Sequence, residues 1–161
     1  MLSVSSLTLT LTSACNLGCG YCFQHRGRRR DMPDEVLEAA LAELDQSPGP
    51  VKLSLYGGEP ALRPDALERV AVWVSRRRAR TGRPDEVRVV TNGTLLDEDL
   101  LRVFERGEFE LQLSFDGVRP AQELRGSGTF DRILDLLERC RRHHPGLFAR
   151  RLTVATLVTG A

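Results

Sequence analysis

The chain has 161 residues, 41% of them hydrophobic and 28% charged, with a formal net charge of +1. That length suffices for one domain with a buried core, and the charge balance gives no electrostatic case for nucleic acid or an anionic membrane as partner. No apolar run approaches bilayer-spanning length.

The N-terminal MLSVSSLTLTLTSAC carries no basic residue and alternates apolar with hydroxyl side chains, a strand pattern rather than a secretory signal. Lys52 is the sole lysine, Ile133 the sole isoleucine, and Asn16 and Asn92 the only asparagines, the bias of a GC-rich bacterial coding sequence. A cytoplasmic setting follows as the expectation. There thiols stay reduced, and clustered cysteines point to metal or catalysis rather than to disulfides.

Leu7, Leu9 and Leu11 alternate with Thr8, Thr10 and Thr12, which predicts a first strand running into the loop TSACNLGCGYCFQ. Pro33 suits a first helical turn, and Val36, Leu37, Ala40, Leu41 and Leu44 form an apolar stripe that ends at the SPGP of Ser47–Pro50. VKLSLY predicts a second strand, followed by GGEPALR and a helix from about Pro64 to Arg80 with Leu67, Val70, Ala71 and Val74 on one face. EVRVVTN predicts a third strand, after which Asp97 caps a helix carrying Leu100, Leu101 and Phe104. FELQLSFDG predicts a fourth strand, Thr129 is expected to cap a helix with Ile133, Leu134 and Leu137, and RLTVATLVTG predicts a fifth strand.

Strand and helix alternate with short connections, the signature of βαβ units on a parallel sheet. Right-handed crossovers then bring every strand-to-helix loop to one end of the sheet, where α/β proteins place their chemistry. The cysteine loop, GGEP, TNG and SFDG should therefore be neighbours. Five strands and four helices fall short of a closed barrel, and the fifth strand has no helix to cover it. The expected fold is an α/β partial (β/α) TIM-like barrel, one domain over residues 1–161, with the natural protein continuing beyond Ala161.

Cys15-x3-Cys19-x2-Cys22 places three thiols within eight residues. A cubane iron–sulfur cluster has four iron corners, each usually held by one thiolate. Three thiolates leave one iron open to a substrate or cofactor. Structural zinc takes four protein ligands, and His25 could supply the fourth, since Cys19-x2-Cys22-x2-His25 is plausible zinc spacing. Cys140 is another candidate, on a helix expected to pack away from the loop. Gly18 and Gly20 fit a backbone that wraps a bulky group.

The cysteine motif after a first strand, with Tyr21 just before the third cysteine, resembles the radical S-adenosylmethionine (SAM) superfamily. GGEP after the second strand, TNG after the third and SFDG after the fourth agree in order and position, so the resemblance covers essentially the whole chain. The stretch SFDGVRPAQELRGSGTFDRIL looks like the SPASM branch, which matures peptides and proteins. The resemblance implies that Cys15, Cys19 and Cys22 ligate a [4Fe-4S] cluster whose open iron chelates SAM. It implies that Gly57, Gly58, Glu59 and Pro60 receive the SAM amino group, and that Ser114 and Asp116 help hold ribose or carboxylate. Arg125 falls where relatives place an arginine near the SAM carboxylate, although the usual neighbouring His-Asp pair is replaced by Gln122–Leu124. Asn92 is a candidate contact to cofactor or substrate, and Tyr21 and Phe23 to cluster or adenine. Asn-Gly and Asp-Gly are also ordinary turn pairs.

The implied reaction is reductive cleavage of SAM to a 5′-deoxyadenosyl radical that removes a substrate hydrogen atom. The implied partners are a peptide or protein substrate and a reductant such as a flavodoxin or ferredoxin. A small-molecule substrate, an inactive fragment, and a zinc-binding α/β interaction module are the alternatives. The runs Arg26–Arg30 and Arg76–Arg80, with His143 and His144, read as solvated surface. No Ser-His-Asp set, Walker loop or paired-carboxylate motif is evident.

Overall fold

The computed structural model describes residues 3–23 and 29–158. Five parallel strands, β1 (Ser6–Thr12), β2 (Lys52–Gly57), β3 (Glu86–Thr91), β4 (Glu110–Ser114) and β5 (Leu152–Ala155), form one sheet in the order β1-β2-β3-β4-β5. Between them lie α1 (Asp34–Asp45), α2 (Pro64–Thr81), α3 (Glu98–Arg106), α4 (Arg119–Gln122), α5 (Thr129–His143) and α6 (Pro145–Arg150). Sequential parallel order with right-handed crossovers winds the chain in one direction, so the long helices share one face of the sheet. A partial barrel results, as expected.

Strand alternation makes the two faces different. Leu9, Leu11, Leu53, Leu55, Val87, Val89, Leu111 and Leu113 are buried against Leu37, Leu41, Leu67, Val70, Leu101, Phe104 and Ile133 of the helices. The opposite, concave face carries Thr8, Thr10, Ser54, Arg88 and Gln112, and the register Lys52↔Glu86 and Arg88↔Glu110 becomes two cross-strand ion pairs at 3.0 and 2.9 Å. No helix among the described residues is long and apolar enough to cross a membrane.

Several local expectations are corrected. Val36 and Leu134 lie outside the buried stripes, 47% and 43% exposed, because the helices turn Leu37 and Ile133 inward instead. Thr129 is the first residue of α5 and caps nothing. Gly128, at φ +73°, precedes the helix, and the Thr129 hydroxyl donates back to Gln122 O and Gly126 O. The short helices α4 and α6 were not expected; each has a proline in its first turn but too few residues to show a 3.6 period.

The arginines and histidines read as surface divide. Arg77 is 1% exposed: it donates to Asp45 O, Ser47 O and Gly49 O at 3.0–3.2 Å, and its Nε lies 3.1 Å from Asp85 Oδ2. Asp85 in turn accepts from Val51 N, so this buried pair fastens the α1–β2 loop to the start of β2. His144, buried at the end of α5, lies between Glu98 and Glu105 at 3.0 and 2.8 Å. Arg26 to Arg28 of the other run lie outside the described residues.

Candidate functional site

The cysteine loop leaves β1 through a braced neck. Thr12 Oγ1 donates to Asp31 Oδ1 at 2.5 Å and accepts from Ala14 N at 3.0 Å, while Ser13 N donates to Arg30 O and Met32 N to Leu11 O. The returning arm thus pairs with the end of β1 and holds both ends of the loop.

The GGEP turn buttresses the other side. Gly58 N donates to Thr12 O and Glu59 N to Ala14 O, both at 2.8 Å. A Cβ at Gly57, where φ is +135°, would lie 2.3 Å from Thr12 O, and one at Gly58 would lie 2.0 Å from Ala14 O. Only glycine lets the two backbones meet. The close approach these residues permit is therefore to the base of the cysteine loop. Among the described residues no atom lies within 4 Å of a Cβ built at Gly18 or Gly20.

Glu59 was expected to face an amino group. It is instead fully buried, its carboxylate accepting from Thr91 Oγ1 at 2.6 Å, Asn92 N at 2.7 Å and Ala61 N at 3.0 Å. Burial pushes its carboxyl up, and these three donors pull it back. Its role in this geometry is to lock the GGEP turn to the end of β3. Pro60, also buried, starts a single 3-10 turn beside it.

Cys15, Cys19 and Cys22 line one cavity of about 400 Å³, together with Gly57 and Gly58, Thr91 and Asn92 of the β3 end, Ser114 of β4, and Arg125. The expected convergence of four loops is thus realised. Tyr56, Val90, Gln112 and Ala155 also line it, and their inward alternation on the strands was the signal that could have found them; Tyr21 and Leu157, the latter just past β5, line it too. Phe23, 81% exposed, stacks on Tyr56 at 6.5 Å between ring centroids, at the lip.

Asp116 does not line the cavity. It takes a bidentate contact from Arg125, Nε and Nη2 each at 2.7 Å, and also accepts from Tyr21 Oη at 3.2 Å and Leu157 N at 3.1 Å. Burial pushes the Asp116 carboxyl up, but the Arg125 hydrogen bond, Leu157 N–H and Tyr21 together outweigh it and hold it below the usual range. Arg125 also lies over the Tyr21 ring, 5.4 Å from its centroid. Burial first, and the Asp116 carboxylate next to it, push the Tyr21 hydroxyl up to about 12 against the opposing Arg125 charge. The guanidinium edge expected to meet a SAM carboxylate is therefore given to Asp116. Gln122, in place of the His-Asp pair, accepts from Asp116 N at 2.9 Å and braces the same hub.

None of the four cysteines is joined in a disulfide. Burial pushes Cys15 and Cys19 above the usual cysteine range, with Leu17 N–H pulling the first back and Arg125 the second. A nucleophilic cysteine needs the opposite shift, whereas a metal deprotonates its own thiol ligands. Among the described residues no three His, Cys, Asp or Glu side chains converge tightly enough for one metal ion. His25 lies outside the described residues, and Cys140 is buried on α5 away from the cavity. Three thiols spaced around one cavity suit a polynuclear cluster better than a single zinc.

A model of the radical SAM superfamily matches residues 9–159. A GTP 3′,8-cyclase of Chlorobaculum tepidum is 35% identical over 115 residues, covering 71% of this chain and 33% of the relative. Another, of Stenotrophomonas maltophilia strain R551-3, is 38% identical over 120 residues, covering 70% and 34%. The chain thus spans about a third of the length of these curated relatives. Native anSMEcpe with bound AdoMet and Cp18Cys peptide superimposes with a TM-score of 0.80 at 26% identity, covering 98% of this chain and 44% of that one. Streptococcus suis SuiB bound to precursor peptide SuiA shares the fold, with a TM-score of 0.64 at 18% identity, covering 99% and 34%. The cofactors of the matched family are a [4Fe-4S] cluster and SAM, and the all-thiol donor set around the cavity fits the first of them. From its first strand to the end of its fifth, this chain belongs to the radical SAM superfamily.

Proposed function

We propose that this chain is the SAM-cleaving core of a radical SAM enzyme of the peptide- and protein-maturing branch, working in the cytoplasm with a flavodoxin- or ferredoxin-type reductant. The observation that carries this is the lining of one cavity by Cys15, Cys19 and Cys22 together with the Gly57–Gly58 turn. Cys15, Cys19 and Cys22 hold the cluster. When bound, the cluster and SAM supply the electron and the 5′-deoxyadenosyl radical that removes hydrogen from the substrate.

The remaining residues bind, orient and exclude. The Gly57–Gly58 backbone presents its carbonyl oxygens to the SAM amino group, with Ser114 facing ribose or carboxylate. Asp116 orients Arg125, whose remaining nitrogen, Nη1, is left for an anionic group of SAM. Val90, Ala155 and Leu157 limit water around the reacting atoms.

Two observations support a peptide or protein substrate. The structure of anSMEcpe, which carries a bound peptide, is similar over 98% of this chain. Among the described residues Arg125 is the sole cation lining the cavity, and it is engaged with Asp116, which offers little to a triphosphate. A small-molecule substrate is the second reading, favoured by the higher identity to GTP 3′,8-cyclases.

Anaerobic reconstitution should give brown protein with about four irons and four sulfides per chain. Dithionite should then drive 5′-deoxyadenosine formation that Cys19→Ala abolishes. Equal product from both proteins, or one zinc and no colour, refutes the proposal. Deuterium transfer into 5′-deoxyadenosine from a deuterated peptide encoded beside the gene, against none from deuterated GTP, separates the two substrate readings.

A further inference from the structure

Asn92 directly follows β3 and precedes Gly93 at φ +78°, where a Cβ would lie 2.4 Å from Leu113 Cδ1 and 2.9 Å from Ile133 Cδ1. The chain must turn there, leaving Asn92 at the cavity wall and 8% exposed. Its backbone N–H is fixed by the buried Glu59 carboxylate at 2.7 Å.

Its side-chain orientation is fixed as well. Asn92 Oδ1 accepts from both Thr94 N at 2.9 Å and Thr94 Oγ1 at 2.7 Å. Thr94 Oγ1 itself accepts from Asn16 Nδ2 at 2.8 Å. A flipped amide would set its NH2 against the Thr94 N–H, donor against donor, so the oxygen belongs on that side. The Asn92 NH2 consequently points to the cysteine loop, 2.9 Å from Asn16 Oδ1 and 3.8 Å from Cys15 Sγ. Leu17 N donates to the same sulfur at 3.4 Å.

Resting on the cluster assignment above, we propose that Asn92, clamped by Glu59, donates an N–H···S hydrogen bond to the Cys15 ligand sulfur and thereby raises the reduction potential of the cluster. Hydrogen bonds to ligand sulfurs stabilise the extra negative charge of the reduced cluster more than the smaller charge of the oxidised one. GGEP and TNG, distant in sequence, thus act on one ligand: the glutamate holds the asparagine, and the asparagine holds the sulfur. Glu59 is a positioning residue and has no contact with SAM in this scheme.

The chain's two asparagines make the test direct. Protein labelled with 15N only at the asparagine side-chain amide is reconstituted, reduced and examined by pulsed EPR, alongside potentiometric titration of each variant. The reduced cluster should couple to a 15N nucleus in the parent and in Asn16→Ala, and lose that coupling in Asn92→Ala. Asn92→Ala should titrate at a lower potential than the parent, and Glu59→Gln should weaken the coupling, with its circular dichroism melt showing that the protein is folded. No coupling in the labelled parent overturns the proposal, as does an unchanged potential in loaded Asn92→Ala. If Asn92→Ala does not fold, the labelled parent and Asn16→Ala decide alone. Failure of the parent to take up a cluster is a separate outcome that removes the proposed function and this inference with it.

Discussion

Replacing Glu59 with alanine tests whether the GGEP glutamate acts as an internal clamp. Three donors end on its buried carboxylate: the N–H groups of Ala61 and Asn92 and the Thr91 hydroxyl. The hydroxyl can rotate to another acceptor, but the two backbone N–H groups are orphaned, at about 1–3 kcal/mol each. Relief of the buried charge offsets part of this, leaving a loss of about 3 kcal/mol. At about 2–4 °C per kcal/mol for a domain of this size, Tm should fall by about 6–12 °C. Thermal melts of the apo protein by circular dichroism measure it, and Glu59→Gln, which keeps one acceptor oxygen, should lose about 1–3 kcal/mol. Because burial raises the Glu59 carboxyl, its contribution is full below the unfolded value and falls as pH rises through the folded one. The stability gap between the parent and Glu59→Gln should therefore narrow from acid towards neutral pH. A Glu59→Ala melt within about 2 °C of the parent refutes the clamp.

Arg77→Met should destabilise by about 3–5 kcal/mol in denaturant titration, because it strands the buried Asp85 carboxylate and the Ser47 and Gly49 carbonyls. Gly58→Ala should cost about 1–3 kcal/mol, since the added methyl meets Ala14 O at 2.0 Å, and iron uptake should fall as the loop base is displaced. In the apo protein at pH 8, iodoacetamide should label the exposed Cys22, and Cys15 more slowly because burial raises its thiol. Cys140 should react only on unfolding, because it is wholly enclosed and burial pushes its thiol up to about 11. Mass spectrometry of the labelled peptides reads this directly.

The alternation of Leu7, Leu9 and Leu11, the 3.6-period stripes and the intervening glycines and prolines define five strands and the four longer helices. These signals are local, and a parallel arrangement follows from their order. The three-thiol spacing likewise marks the candidate cluster loop, because three cysteines crowded into eight residues need no tertiary information to be recognised. Short helices escaped this reading for the same reason: α4, with four residues, shows no period.

What a side chain faces is decided elsewhere. By composition Arg77 belongs to a surface run and His144 to a basic helix end, yet both are buried because partners 8 and 46 residues away in sequence come to meet them. Glu59 and Asp116 sit in motifs that read as cofactor contacts, but the fold places matching donors beside each, Thr91 and Asn92 for one, Arg125 and Tyr21 for the other. A buried carboxylate is stable only where such donors surround it. Which donors those are depends on strand register and crossover, and neither is written in the few residues of a motif.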